Sequence, residues 1–387
     1  MAFAKKSHRK SNAHMKPPVG ESVGLVSPGC WSIGSFMSCE QLQGQQPPED
    51  AVVHWQDGES AFCLRPKPPT TSSSGDPTVG KFHEERWASA VWTLSTNVFC
   101  KAKAWVEGME VEGTTIEFVA KHAPSVPVPE VIYHWIDPAW TRCFLITKRA
   151  QGERFNEVWP RISEDQRLDV AAQLAKHAVT LSKLRSDRCE KATGAGLLGE
   201  HGLLGPHEDW STWPSWKPLL RPPFTAQELI AHLTKEAGVA PPDLGKQFVF
   251  AHTDMSPKNV FVFMPAEKTG QVQVSTIIDW ETAGYYPYWW MSTHARTCQD
   301  LFLEHKSIGV AWKDAMDPAW MLSNALIREG FRHELGYFGQ HVLKSEIPDF
   351  VKEHEEAREK IEAGGDQSLI IGKARSSIAW SSKNLFE

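Results

Sequence analysis

Residues 248–263 read FVFAHTDMSPKNVFVF, and residues 274–284 read VSTIIDWETAG. Each stretch sets polar residues after, or inside, an apolar β-prone run, so a strand delivers their side chains to one place. The first carries His252, Asp254 and Asn259 as H-x-D-x-x-x-x-N, and the second ends the run Thr276-Ile277-Ile278 on Asp279. An Asp or Asn after a strand is by itself an ordinary turn residue that bonds its own backbone. Two such sites together supply what phosphoryl transfer requires. A carboxylate accepts or orients the proton of an acceptor hydroxyl, and oxygen ligands hold Mg²⁺ against the phosphates. Asp254 therefore reads as a catalytic base, with Asn259 and Asp279 as metal ligands. His252 reads as a structural residue of the loop, and Pro257 stiffens the path from Asp254 to Asn259.

Upstream, Trp92–Leu94 and Val98–Lys101 flank Ser95-Thr96-Asn97 and read as a hairpin. Glu110–Lys121 reads as a short helix closed by Pro124, and Val131–Trp135 with Phe144–Thr147 as a further strand pair. Ser163 with Gln166, and Thr225 with Glu228, are capping boxes. The first opens a long helix whose apolar stripe runs through Leu168, Ala171, Ala175, Val179 and Leu184; the second opens a helix that Gly238 closes. Phe248–Ala251, Val260–Met264 and Val272–Ile278 read as strands, and Trp320–Glu329 and Ile347–Ala363 as helices. Residues 1–50, rich in Gly, Pro, Ser and Gln, predict little order, Ala51–Leu64 reads as a short apolar, strand-like stretch, and KPPTTSSSGDP within 66–80 predicts a flexible linker.

These residues carry a resemblance. His252-Thr253-Asp254-Met255-Ser256-Pro257-Lys258-Asn259-Val260, followed by Ile278-Asp279-Trp280-Glu281, resembles the signature of the aminoglycoside phosphotransferase and choline kinase-like family, within the protein-kinase-like fold. Thr253 departs mildly from the small residue usual there. Ala283 to Pro287 and Gly152 to Trp159 are also similar to family segments, and the likeness is nearest to loosely characterised, fungal-type members. The resemblance implies an α+β, two-lobed architecture. Residues 1–80 form a largely irregular extension, 81–147 a small lobe with an antiparallel sheet and one helix, 148–365 a mainly helical lobe, and 366–387 a tail. It implies that Lys101, with Lys103 as the rival, meets the nucleotide phosphates, and that Glu112, with Glu110 as the rival, is the lysine's partner. Ile146 and Lys148, at the end of the strand leading to the hinge, complete the nucleotide-contacting set. The cofactors implied are ATP and Mg²⁺, and the acceptor is a small hydroxylated molecule, often a cation, for which Asp300 and Glu304 are candidate contacts. No G-x-G-x-x-G lies between Gly80 and Lys101, which departs from the kinase pattern.

The bulk numbers agree with a globular enzyme. The 387 residues carry a formal net charge of −6, which argues against a nucleic-acid binder. Seven scattered cysteines without a CxxC pair indicate reduced thiols rather than zinc or a disulfide framework, and so a cytoplasmic setting. No run approaches a membrane span. The basic stretch Met1–Pro18 lacks the apolar core of a signal peptide and reads as a solvated tail, with a transit peptide as the alternative because no acid precedes Glu21. Seventeen tryptophans suggest large buried anchors, with Trp210, Trp213 and Trp216 read as core or lid packing. Two alternatives stand beside a small-molecule kinase. One is a pseudokinase-like scaffold, which the missing glycine loop favours. The other is a protein kinase, which the absence of D-F-G and A-P-E disfavours.

Overall fold

The computed structural model describes residues 16–44, 46–85, 88–199, 201–204, 220–267, 269–297 and 317–334. The helix expected over Ile347–Ala363, the three tryptophans Trp210, Trp213 and Trp216, and the residues Asp300 and Glu304 lie outside them. The described residues fall into two compact units, one from 16–106 and 132–148, the other from 107–131 and 149–334.

The first unit holds two five-stranded antiparallel sheets. One comprises β1 (Val23–Ser27), β2 (Cys30–Ile33), β3 (Met37–Gln41), β4 (Val53–Asp57) and β5 (Ser60–Pro66), in the order β1-β2-β3-β5-β4. The other comprises β6 (Lys81–Glu85), β7 (Ser89–Ser95), β8 (Val98–Ala104), β9 (Val131–Asp137) and β10 (Arg142–Lys148), in the order β6-β7-β8-β10-β9. The two sheets thus repeat one connectivity. They also share one core. In β8 the buried residues Val98, Cys100, Ala102 and Ala104 alternate with the half-buried Phe99, Lys101 and Lys103, the period-two pattern of a strand with one covered face. Trp92, Phe144 and Ile146 join that buried face, which meets Trp31, Ile33, Trp55, Phe62 and Leu64 of the first sheet.

The structure corrects the sequence reading of residues 1–80 as largely irregular. β1, β2 and β3, of four or five residues, left too short a period to detect, and with β4 and β5, most of which fall in the strand-like run Ala51–Leu64, they cover the buried face of the second sheet. Nor is 66–80 a free linker. Lys67 N donates to Phe36 O, Thr70 N to Ser35 O, and Leu25 and Asp76 exchange backbone bonds. Asp137, fully buried, closes the arrangement by accepting from Ser35 N at 2.6 Å, Ser35 Oγ at 2.9 Å and Trp140 N at 3.1 Å. Gly34 sits beside it at φ +60, where a Cβ would lie 2.7 Å from Asp137 Oδ2.

The second unit contains α1 (Glu112–His122), β11 (Glu153–Arg154), α2 (Phe155–Val158), α3 (Glu164–Leu181), β12 (Arg185–Ser186), β13 (Arg188–Cys189), α4 (His201–Leu204), β14 (Phe224–Thr225), α5 (Ala226–Ala237), β15 (Phe248–Ala251), β16 (Val260–Phe263), β17 (Gln273–Ile277), β18 (Gly284–Tyr286), α6 (Trp290–Thr297) and α7 (Asp317–Arg328). Contrary to the predicted boundary at 147, α1 groups with this unit. Both capping boxes form with their reciprocal bonds, and Gly238 closes α5 at φ 72. The buried stripe of α3 is Val170, Ala171, Leu174, Ala175, Ala178 and Leu181; Leu168, placed in the stripe by sequence, is exposed. The stripe packs α3 on α7, and α6 packs on α7 as well. Short sheets β11-β16-β17 and β12-β15-β18 carry the two motif segments. Among the described residues no helix is long and apolar enough to cross a membrane, and the six cysteines are free thiols.

Candidate active site

β15 is buried along its whole length and ends at Ala251, so the next residues leave the sheet with their backbone already anchored. His252 is fully buried. Its Nδ1 accepts from Asp254 N at 3.1 Å, so the proton resides on Nε2, which donates to Ile278 O at 3.0 Å. Burial drives its pKa down to about 4, and the ring stays neutral. It also meets Trp280 edge-on at 4.5 Å. The imidazole is thus a bolt joining the two motif segments.

Asn259 folds back on Asp254. Its Nδ2 donates to Asp254 Oδ2 at 2.8 Å and to Asp254 O at 3.2 Å. With the amide hydrogens used, Asn259 Oδ1 is the atom left to accept or ligate. Asp254 Oδ1 is buried and makes no well-formed hydrogen bond among the described residues. Burial, reinforced by the negative charge of Asp279 and opposed by Lys258, lifts the Asp254 pKa to about 6. His294 on α6 donates from Nδ1 to Thr253 O at 2.8 Å, and Thr253 Oγ1 donates to Thr282 Oγ1 at 2.8 Å, fixing the peptide ahead of Asp254.

The β16–β17 register pairs Val260 with Ile277, and Ile278 N donates to Asn259 O at 2.9 Å. Asp279 follows immediately. It adopts φ 67 and ψ 59, one of two non-glycine residues with positive φ among those described, a conformation that costs about 1 kcal/mol in an L-residue. The turn is held by Trp280, fully buried, whose Nε1 donates to Ile277 O at 2.7 Å and whose N donates to Glu112 Oε1 at 3.1 Å. Carboxylate oxygens of Glu112, Asp279 and Glu281 lie within 4.8 Å of one another.

The structure separates the two acids left open on α1's approach. Glu110 accepts from Thr115 Oγ1 at 2.8 Å and from Thr193 N at 2.9 Å, so its carboxylate is committed to holding the chain. Glu112 is the one that stands with Asp279. Lys101 and Lys103 belong to the other unit, on the half-buried face of β8. Lys101 is paired in register with Val91 and Leu145. Ile146 has Cys100 as its register partner, and its side chain is fully buried in the core between the sheets. Leu145 and Thr147 are the β10 residues on the Lys101 side, while Lys148 ends the strand opposite Val98, half-buried. The β6–β7 connection, Arg86-Trp87-Ala88, contains no glycine, and Arg86 and Trp87 lie outside the described residues. Glu281, which the sequence leaves between a place near a metal and a structural ion pair, with the structural role favoured, stands with Glu112 and Asp279; Lys191, Thr282 and His294 were not singled out. Lys191 and His294 sit in segments without period or motif, and only contacts reveal them.

Residues 98–290, about half of the chain, match the family model described as the phosphotransferase enzyme family. The chain belongs to that family. It is accordingly an enzyme, a phosphotransferase of kinase type. No curated protein sequence matches the chain. Among solved structures, it is similar to the aminoglycoside-3'-phosphotransferase of type VIII, with 16% identity over 78% of this chain and 92% of that one at a TM-score of 0.38. An aminoglycoside 2"-phosphotransferase in complex with GDP and kanamycin shows 13% identity over 79% and 93% at a TM-score of 0.40. An aminoglycoside phosphotransferase from Streptomyces rimosus shows 17% identity over 64% and 93% at a TM-score of 0.36.

Proposed function

We propose that this family member moves the γ-phosphoryl group of ATP to a hydroxyl of a small polar molecule, with Asp254 as the base. The observation that carries the reading is the state of Asp254. Its Oδ2 is fixed by Asn259, its Oδ1 is buried with no well-formed hydrogen bond among the described residues, and its pKa of about 6 leaves it ionised at neutral pH yet able to take a proton. A base placed this way contributes on the order of 10²–10⁴ in rate.

The remaining atoms fit a hard divalent cation. Asn259 Oδ1 and the carboxylate of Asp279 are oxygen donors of the kind Mg²⁺ takes, and the neighbouring acids Glu112 and Glu281 add negative charge. Mg²⁺ held there would neutralise charge on the transferring phosphates. The strained turn at Asp279 fixes that carboxylate before any ligand arrives. His252 and Trp280 hold the two segments in register, and neutral His252 takes no proton during the reaction. Lys101, or Lys103 on the same face, supplies the cation for the phosphates. The absent glycine loop favours a second reading, a nucleotide-binding scaffold.

Thermal stability with and without Mg-ATP tests both. A ligand at a hundredfold excess over its dissociation constant adds about 2.7 kcal/mol to the native state. Wild type and Asp254→Ala are expected to gain a shift, and Asp279→Asn to lose it. ADP formation with hydroxylated acceptors or water should then vanish in Asp254→Ala. A wild type that shifts but never turns over would support the scaffold, and no shift at all would end the kinase reading.

A further inference from the structure

Lys191 lies outside both motif segments, yet it is 2% exposed, rare for a lysine. Its Nζ donates to Glu281 O at 2.8 Å and also to Ala283 O. The residue before it, Glu190, accepts from Tyr285 N at 2.7 Å. The following residues bond the opposite way. Thr193 donates from N at 2.9 Å and from Oγ1 at 2.5 Å to Glu110 Oε2, and Leu197 N donates to Gly108 O at 2.9 Å. Residues 190–197 therefore bridge the turn after Asp279 and the chain entering α1, whose first residue is Glu112. Glu112 closes the circuit through Trp280 N. The approach is tight: a Cβ on Gly196 would lie 2.6 Å from Glu110 Cβ and 2.9 Å from Lys191 Cγ.

Three carboxylates within 4.8 Å repel one another and would spread unless their backbones were held. We propose that residues 190–197 are a clamp that fixes the spacing of Glu112, Asp279 and Glu281, with Lys191 as its positioning residue. By setting that spacing it sets the affinity of the site for the divalent cation that accompanies the nucleotide. The ammonium works through main-chain carbonyls and touches neither substrate nor metal.

The inference rests on Asp279 as a cation ligand, and the test separates the two. Mn²⁺ serves as the probe, its free concentration read by electron paramagnetic resonance on the full chain with ATP. Lys191→Met should weaken Mn²⁺ binding by ~10-fold or more, as loss of an outer-sphere support does. ATP binding in EDTA should stay unchanged. Thr193→Val, at the exposed end of the clamp, should weaken Mn²⁺ by about threefold through one lost hydrogen bond. If wild type binds no Mn²⁺ with ATP, the ligand role of Asp279 falls and the clamp with it. If wild type binds and Lys191→Met binds within about twofold of it, the clamp alone is refuted. Equal loss of Mn²⁺ and of ATP in EDTA would make Lys191 a structural residue only. Should Lys191→Met not fold, Thr193→Val decides, and an unchanged Mn²⁺ affinity there overturns the proposal.

Discussion

Asp254→Asn should make the protein more stable while removing its activity. The wild-type carboxyl rises from 3.8 to about 6 on folding, burial being the main cause. Above the folded value both states are ionised, and the native state bears the cost of a buried charge. A separation of about two pH units at ~1.4 kcal/mol each gives a penalty of roughly 3 kcal/mol at pH 7.5. As pH falls through 6 the native carboxyl takes up a proton while the unfolded one stays ionised, so the penalty shrinks. At pH 4.5 it is about 1 kcal/mol, and below 3.8 it disappears. Asparagine has no charge to bury and keeps an oxygen for Asn259 Nδ2. Urea unfolding of both proteins at pH 7.5 and 4.5 measures the difference, and titrating groups remote from Asp254 cancel between them. The expected gain is ~3 kcal/mol at pH 7.5, falling to ~1 kcal/mol at pH 4.5. A gain equal at both pH values, or a loss at pH 7.5, would refute the argument.

Two further outcomes follow from the same geometry. The kcat/KM for Mg-ATP should rise about tenfold per pH unit below roughly 6 and level above it, as the base loses its proton. His252, held at about 4, should add no limb between pH 5 and 8, and a stopped-rate profile across that range checks both. Gly34→Ala forces a side chain into φ +60 and against Asp137 Oδ2 and Phe144, so urea unfolding should show a loss of about 2 kcal/mol or more.

The catalytic half of the molecule was legible because its signals are local. β15, β16 and β17 fall within a residue or so of the runs read as strands, and Asp279 ends the last of them as the spacing implied. Both capping boxes were readable for the same reason, since each is complete within four residues. The first sheet was legible only as the strand-like run Ala51–Leu64, which holds β4 and most of β5. Its strands become apolar faces only when β1–β5 lie side by side over Cys100, Ala102 and Ile146, a condition no window of sequence contains. Strand alternation places Ile146 and Leu145 on opposite faces, but which face is covered depends on where the extra sheet packs. Lys191 resembles any loop lysine until the carbonyls of Glu281 and Ala283 are beside it.

The shared core of the two sheets has a consequence for how the protein can be divided. The family match begins at residue 98, inside β8, and suggests a boundary near there. A fragment starting at Lys81 would keep the second sheet but strip the cover from Trp92, Cys100, Ala102, Phe144 and Ile146. That bared face carries Trp92 and Phe144, and large exposed apolar faces are the kind of surface through which chains associate. The sheet that bears Lys101 therefore depends on the strands of residues 23–66 to cover its apolar face.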